Sequence, residues 1–193
     1  RGLGDVYKRQ VQKDSPDFNK IKKLIEVMAG VLQDKLYIER LNESISQAEK
    51  TEIGKYAPFF SLPNVKGEKI SRTSENLKKK NLLINFWASW ESSSSTMLFR
   101  IKRLNRTTSD KMKIVSISLD VEKSKKEMVE RNDSVTWDSY CDYLAWDSPI
   151  VDSYNLPTIP YCIFVGPNQR IICSGSDFEK EILPEIKKTL KLK

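Results

Sequence analysis

Between Ser15 and Lys50 the apolar residues fall at helical spacing. Phe18, Ile21, Leu24, Ile25, Met28, Val31 and Leu32 recur every third or fourth position, the signature of one apolar helix face. Ser15 is the expected cap and Pro16 the expected first helical position. A break is expected between Gly30 and Asp34, and Leu36, Ile38, Leu41 and Ile45 then outline a second, weaker helix. Two helices cannot bury both stripes alone. They are expected to pack on the domain that follows or on one upstream.

From Ile53 the period changes. "APFFSLPNVKGEKIS" reads as a strand, a turn over Asn64–Gly67 and a short return strand. "NLLINFWAS" is an uninterrupted apolar run, as in a central strand buried on both faces. "TMLFRIKRLNR" returns to helical spacing, "KMKIVSISLD" is a second buried strand, and "VEKSKKEMVERN" reads as a polar, exposed helix. "SPIVDSYN" is a short helix ending before Pro157. "YCIFV" and "RIICS" flank "GPNQ" as a hairpin. "DFEKEILPEIKKTLKL" closes the chain as a helix capped by Asp177, with Pro184 a point of kinking. The order from the central strand is β-α-β-α-β-β-α. Its β-α-β part requires a right-handed parallel crossover, and its last two strands are antiparallel. The predicted class is α/β, a mixed sheet covered by helices.

Composition narrows the function. Of 193 residues, 39% are hydrophobic and 31% charged, which suits a globular domain with a heavily charged surface. No apolar run approaches the roughly 20 residues of a membrane span. The net charge of +7 comes from lysines scattered through "KIKK", "LKKKN", "KSKKE" and "IKKTLKLK". That scatter reads as solvated helix faces, and no nucleic-acid partner is expected. The chain has no histidine, which removes Ser-His-Asp and Cys-His catalysis. Its three cysteines, Cys141, Cys162 and Cys173, have no CxxC spacing, so no metal site and no cofactor are expected.

The first ten residues, "RGLGDVYKRQ", lack an initiator methionine. "DVYKRQ" is the translation of a transposon end used in sequencing libraries. Residues 1–10 are therefore set aside as a library scar. Residues 11–52 are expected to be a helical remnant of an upstream region, and residues 53–193 the principal domain.

The chemistry centres on "NFWASWESSSSTM", residues 85–97. With "IGKYAPFFSLPNVKGEKIS" as an opening hairpin, "LLINFWASW" as the strand into a site, "WDSPIVDSYN" before a loop and "SYNLPTIPYCIFVGPNQRII" as that loop and its hairpin, the chain resembles the thioredoxin fold. It looks most like the TlpA/ResA branch of thiol-disulfide oxidoreductases, over about Ile53 to Lys193. The resemblance implies a W-C-x-x-C motif at a helix start, where the first cysteine is the attacking thiolate and the second resolves the mixed disulfide. Here Trp90 is followed by Glu91, Ser92, Ser93 and Ser94. A carboxylate and a hydroxyl form no disulfide, so dithiol exchange at this place is excluded. No catalytic residue and no enzymatic activity of the family's kind are expected. Peroxidase relatives need a peroxidatic cysteine at a helix start, and none stands there.

In place of the sulfurs, Glu91 suits the positive end of a helix, and Ser92 or Ser93 is expected to accept a first-turn N–H bond. The resemblance further implies that Pro160 is cis and that the backbone of Ile159 pairs with an extended strand. Trp90, Ile159 and Pro160 are thus a candidate groove for a protein or extended peptide, uncharged or basic because Glu91 repels anions. Cys162 is a possible relocated thiol. A two-residue Pro167–Asn168 turn would set Cys162 opposite Cys173, whereas a bulge at Gln169, the expected form, turns them to opposite faces. Cys141 reads as a packed small residue. By resemblance the compartment is the bacterial cell envelope or periplasm. The alternatives are an oxidoreductase working through Cys162 and a structural domain supporting an upstream partner.

Overall fold

A computed structural model describes residues 17–31, 35–63, 69–71, 77 and 79–192. Two helices come first, α1 (Phe18–Ala29) and α2 (Lys35–Lys50). The expected cap residues Ser15 and Pro16 lie outside the described residues. Asp17 caps α1, its carboxylate accepting the Lys20 amide at 3.1 Å. Only Ile25 of α1 is buried. Leu24, Val27, Val31 and Leu36 stay exposed, so the helical pair leaves part of its apolar stripe open.

A two-stranded ribbon follows, β1 (Ser61–Pro63) antiparallel to β2 (Lys69–Ser71). The expected turn over Asn64–Gly67 lies outside the described residues. The main sheet comprises β3 (Asn81–Trp87), β4 (Met112–Ser118), β5 (Asp138–Tyr140), β6 (Tyr161–Val165) and β7 (Ile171–Gly175), in the order β5-β4-β3-β6-β7. β3 lies parallel to β4 and antiparallel to β6, so the uninterrupted apolar run is the central strand. The edge strand β5, parallel to β4, has no counterpart in the sequence reading. Three residues are too few for a period to register.

Alternation along β3 builds two cores. Leu82, Ile84 and Phe86 face Val115, Ile117, Ile163 and Val165, and are covered by Phe60 and by Ile150 and Tyr154, in and just after the short helix α5 (Pro149–Ser153). Leu83 on the other face meets Ile114, Cys162 and Phe164. Helix α3 (Ser92–Thr108) covers that side with Met97, Ile101 and Leu104. The C-terminal helix adds Phe178 and Ile182 from a π-helical turn (Phe178–Ile182), and Ile186 from α6 (Leu183–Leu190). Asp177 caps that turn as expected, accepting the Lys180 amide at 3.2 Å. Pro184 stands in the first turn of α6, where its missing N–H costs nothing.

Helix α4 (Lys123–Asn132) departs from the reading of an exposed polar helix. Lys126 is 0% exposed, with its ammonium 2.6 Å from Glu130 one turn on. Pairing within the helix makes the burial of this charge tolerable.

The hairpin differs from both expected registers. Gln169 takes a positive φ of 67° and forms one bulge. A second irregularity lies between Phe164 and Val165, where Val165 pairs with Ile171 but Phe164 with Cys173. Two one-residue slips restore the original parity. Cys162, opposite Gly175, therefore shares a face with Cys173 as a diagonal neighbour, and all three cysteines are free. Residues 54–57 lie along the outer edge of β7: Gly54 and Lys55 exchange backbone bonds with Ile171, and the Ala57 amide donates to the Gln169 carbonyl at 2.9 Å.

Candidate functional site

The site forms where β3, β4 and β5 end together and β6 begins. Phe86 pairs with Tyr161, so the Ile159–Pro160 bond, which is cis, stands beside the end of β3. Residues 88–91 lead from that strand end into α3. In such sheets the carboxyl ends of the parallel strands are where loops converge on ligands.

Glu91 is the N-cap of α3, in the extended conformation a cap requires, with φ −97° and ψ 112°. Its carboxylate accepts the Ser93 amide at 3.1 Å and the Ser93 hydroxyl at 2.8 Å. The expected roles are thereby exchanged: Ser93 donates, and the glutamate is the capping acceptor. The Ser93 hydroxyl bond, followed by the amide bond, holds the Glu91 carboxyl below its ordinary range. Ser94 is 1% exposed, and its hydroxyl accepts the Ala88 amide at 3.2 Å, tying the first turn of α3 back to the end of β3. Glu91 and Ser94 therefore both serve the local backbone. Trp90, just before Glu91, is 53% exposed.

Ile159 and Pro160 are buried, while Pro157 and Thr158 before them are exposed. The Ile159 carbonyl accepts the Thr158 hydroxyl at 3.3 Å, and the Ile159 N–H has no partner among the described residues. Cys162, two residues on, is 0% exposed and turned into the core, 3.7 Å from the Met97 sulfur. Burial pushes its thiol far up and that of Cys173 up to about 12, so neither is an accessible thiolate. Cys141 is buried as well. It donates to the Asp120 carbonyl and accepts the Tyr143 amide, both at 3.3 Å, and desolvation raises it too.

Asp120, absent from the sequence reading, holds this end of the molecule together. It is 1% exposed. Its carboxylate accepts the Ser89 amide at 3.0 Å and the hydroxyls of Ser89 and Ser118. The loop that presents Trp90 and Glu91 is thus clamped to the end of β4. The signal was legible in "SISLD", where an acid ends a buried strand. Beneath it a polar row crosses four strands in register, Cys162–Asn85–Ser116–Ser139. Asn85 donates to Ser116 at 3.3 Å, and the Trp137 indole donates to the same hydroxyl at 2.7 Å. No group of three or more metal-ligating side chains gathers among the described residues.

The family model described as the AhpC/TSA family matches residues 53–173. The chain is 36% identical to the C-terminal domain assigned as a thiol-disulfide oxidoreductase from Bacteroides thetaiotaomicron, with a TM-score of 0.68 over 74% of this chain and 98% of that one. It is 34% identical to a thiol-disulfide oxidoreductase from Bacteroides fragilis NCTC 9343, with a TM-score of 0.66 over 70% of this chain and 99% of that one. It is also 32% identical to the thioredoxin-like protein YneN of Bacillus subtilis (strain 168), a match that spans 55% of this chain and 61% of that relative.

Proposed function

Because the chain belongs to the AhpC/TSA family, in a thioredoxin fold shared with thiol-disulfide oxidoreductases, we propose that it is a member without dithiol chemistry that binds an extended polypeptide beside Trp90, Ile159 and Pro160. One observation carries the reading: the helix start after Trp90 offers a carboxylate and a buried hydroxyl, both engaged by the backbone, while every thiol of the chain is buried elsewhere. The unpartnered Ile159 N–H supports the binding role, since a strand laid against it gains a backbone hydrogen bond without any sulfur. The occupant is uncharged or basic, because the Glu91 carboxylate stands at the mouth. The compartment that fits this family reading is the bacterial cell envelope. Among the described residues no helix is long and apolar enough to cross a membrane.

Relocated chemistry through Cys162 is disfavoured by its burial and its raised thiol. A disulfide exchange needs a thiolate that reaches the substrate sulfur. The decisive assay is reduction of insulin disulfides by the purified chain in the presence of dithiothreitol. The rate is expected to equal that of dithiothreitol alone, and turnover clearly above it overturns the proposal.

A further inference from the structure

The outward side of α3 carries charge that its surroundings do not match. The helix buries Ser94, Met97, Leu98, Ile101, Leu104 and Thr108. At about 100° per residue, the opposite side runs through Ser92, Ser95, Phe99, Arg103 and Arg106, all exposed. Lys102 stands on its flank. Phe99 is 56% exposed in the middle of this stripe.

On α4 and α6 most lysines find carboxylates within a turn, Lys123 with Glu127, Lys125 with Glu122, Lys126 with Glu130 and Lys188 with Glu185, although Arg131 and Lys187 do not among the described residues. Helix α3 cannot do this, because no acid occurs between Ser92 and Thr108. Arg100 alone reaches a neighbour, Glu179, at 3.6 Å. Among the described residues no carboxylate comes within ion-pair distance of Lys102, Arg103 or Arg106. The acids just beyond its ends, Glu91 and Asp110, do not supply one. Glu91 is held by Ser93.

We propose that this stripe is a docking surface for an acidic polypeptide segment bearing an apolar side chain. Arg103 and Arg106 take its carboxylates through charge-assisted bonds, and Phe99 packs the apolar group. Arginine and aromatic side chains are what protein interfaces enrich. Phe99 to Arg106 spans about 10 Å of helix axis, enough for a few residues of a partner chain. Charge distribution selects a single segment over a lipid surface or a nucleic acid. Helices α4 and α6 flank α3 on the same face of the sheet, and exposed glutamates stand at their starts, Glu122 as the N-cap of α4 and Glu179 and Glu181 in the π-helical turn before α6. Glu122 and Glu179 are paired with Lys125 and Arg100, so a broad polyanion gains little from these flanks, whereas one chain laid along α3 engages the unpaired cations alone. The inference goes beyond the groove at Ile159 and does not rest on it. The stripe lies on the far side of α3 from Ser94 and involves no redox question.

The test is binding by the full chain, followed by fluorescence anisotropy of a labelled synthetic peptide alternating glutamate and phenylalanine. The same peptide with glutamine for glutamate, a single-stranded oligonucleotide and phosphatidylglycerol vesicles are the comparisons. The glutamate peptide is expected to bind in preference to all three. Its affinity should fall as salt shortens the Debye length from roughly 30 Å to roughly 3 Å. The pair Arg103→Gln with Arg106→Gln should weaken binding by about tenfold or more, and the pair Lys123→Gln with Lys125→Gln by less than about twofold. Phe99→Ser should weaken it as well, with the thermal melt unchanged. Absence of binding, equal binding by the arginine-pair variant, equal weakening in the lysine pair, or tighter capture by the oligonucleotide or the vesicles overturns the proposal.

Discussion

Asp120 shows how much one buried carboxylate can fix. Its three donors come from residues on two different strand ends, so it joins elements that the backbone alone leaves separate. Replacing it with alanine strands the Ser118 hydroxyl in the interior and the Ser89 amide and hydroxyl at a half-buried position. The expected loss for Asp120→Ala is about 3 kcal/mol. Asp120→Asn keeps one acceptor oxygen and should lose about 1 kcal/mol. Urea unfolding reads both. A loss for alanine no larger than that for asparagine would mean the clamp carries no load. The thiols are a contrasting case. Their number and spacing were plain in the sequence, yet their inertness follows from depth. Cys162 lies among Leu83, Phe164 and Met97 in the second core, and no linear pattern reports how far a strand residue sits from water.

At the scale of elements, the start of α3 is the informative place. The sequence alone announced a helix beginning just after Trp90 and a glutamate suited to its positive end. The structure adds that Glu91 is the cap and that Ser94 closes a bond back to Ala88. If residues 91 and 94 stand where the fold's relatives carry sulfur, then Glu91→Cys with Ser94→Cys restores a working pair. Oxidised glutathione should convert its two thiols to an intramolecular disulfide. The product is read as the loss of two alkylatable groups and two hydrogens by mass spectrometry, with two equivalents of reduced glutathione released. A folded double variant that forms no such bond would show that the helix start has a different geometry. The hairpin teaches the complementary lesson. A bulge at Gln169 was legible from "GPNQ", but the second slip at Phe164 was not. It arises where Ile172 is left over between two paired rows. Each slip reverses the facing of a strand, so missing one of two gave the wrong face for Cys173.

Taken as a whole molecule, the chain is a mixed sheet with a core on each side, joined to a helical pair that adds little to either. Neither buried cluster contains a residue from 17–50. Removal of the chain through Lys50 is therefore expected to lower the melting temperature by no more than about 3 °C, equivalent to about 1 kcal/mol at this size. Removal through Ala57 also strips the backbone pairing along β7 and the Tyr56 ring, which Arg170 covers at 4.2 Å. That truncation should cost several times more. Equal losses would mean that α1 and α2 support the domain directly. By itself the sequence determined the α/β class, the central strand, the positions of the helices and the absence of sulfur after Trp90. Each of these depends on residue type and on periods a few residues long. The tertiary structure decided the rest: the Asp120 clamp, the burial of Lys126, the shared face of Cys162 and Cys173, and the unmatched cations of α3. Those depend on which side chains from distant parts of the chain become neighbours, and how far from water, which only the packed fold sets.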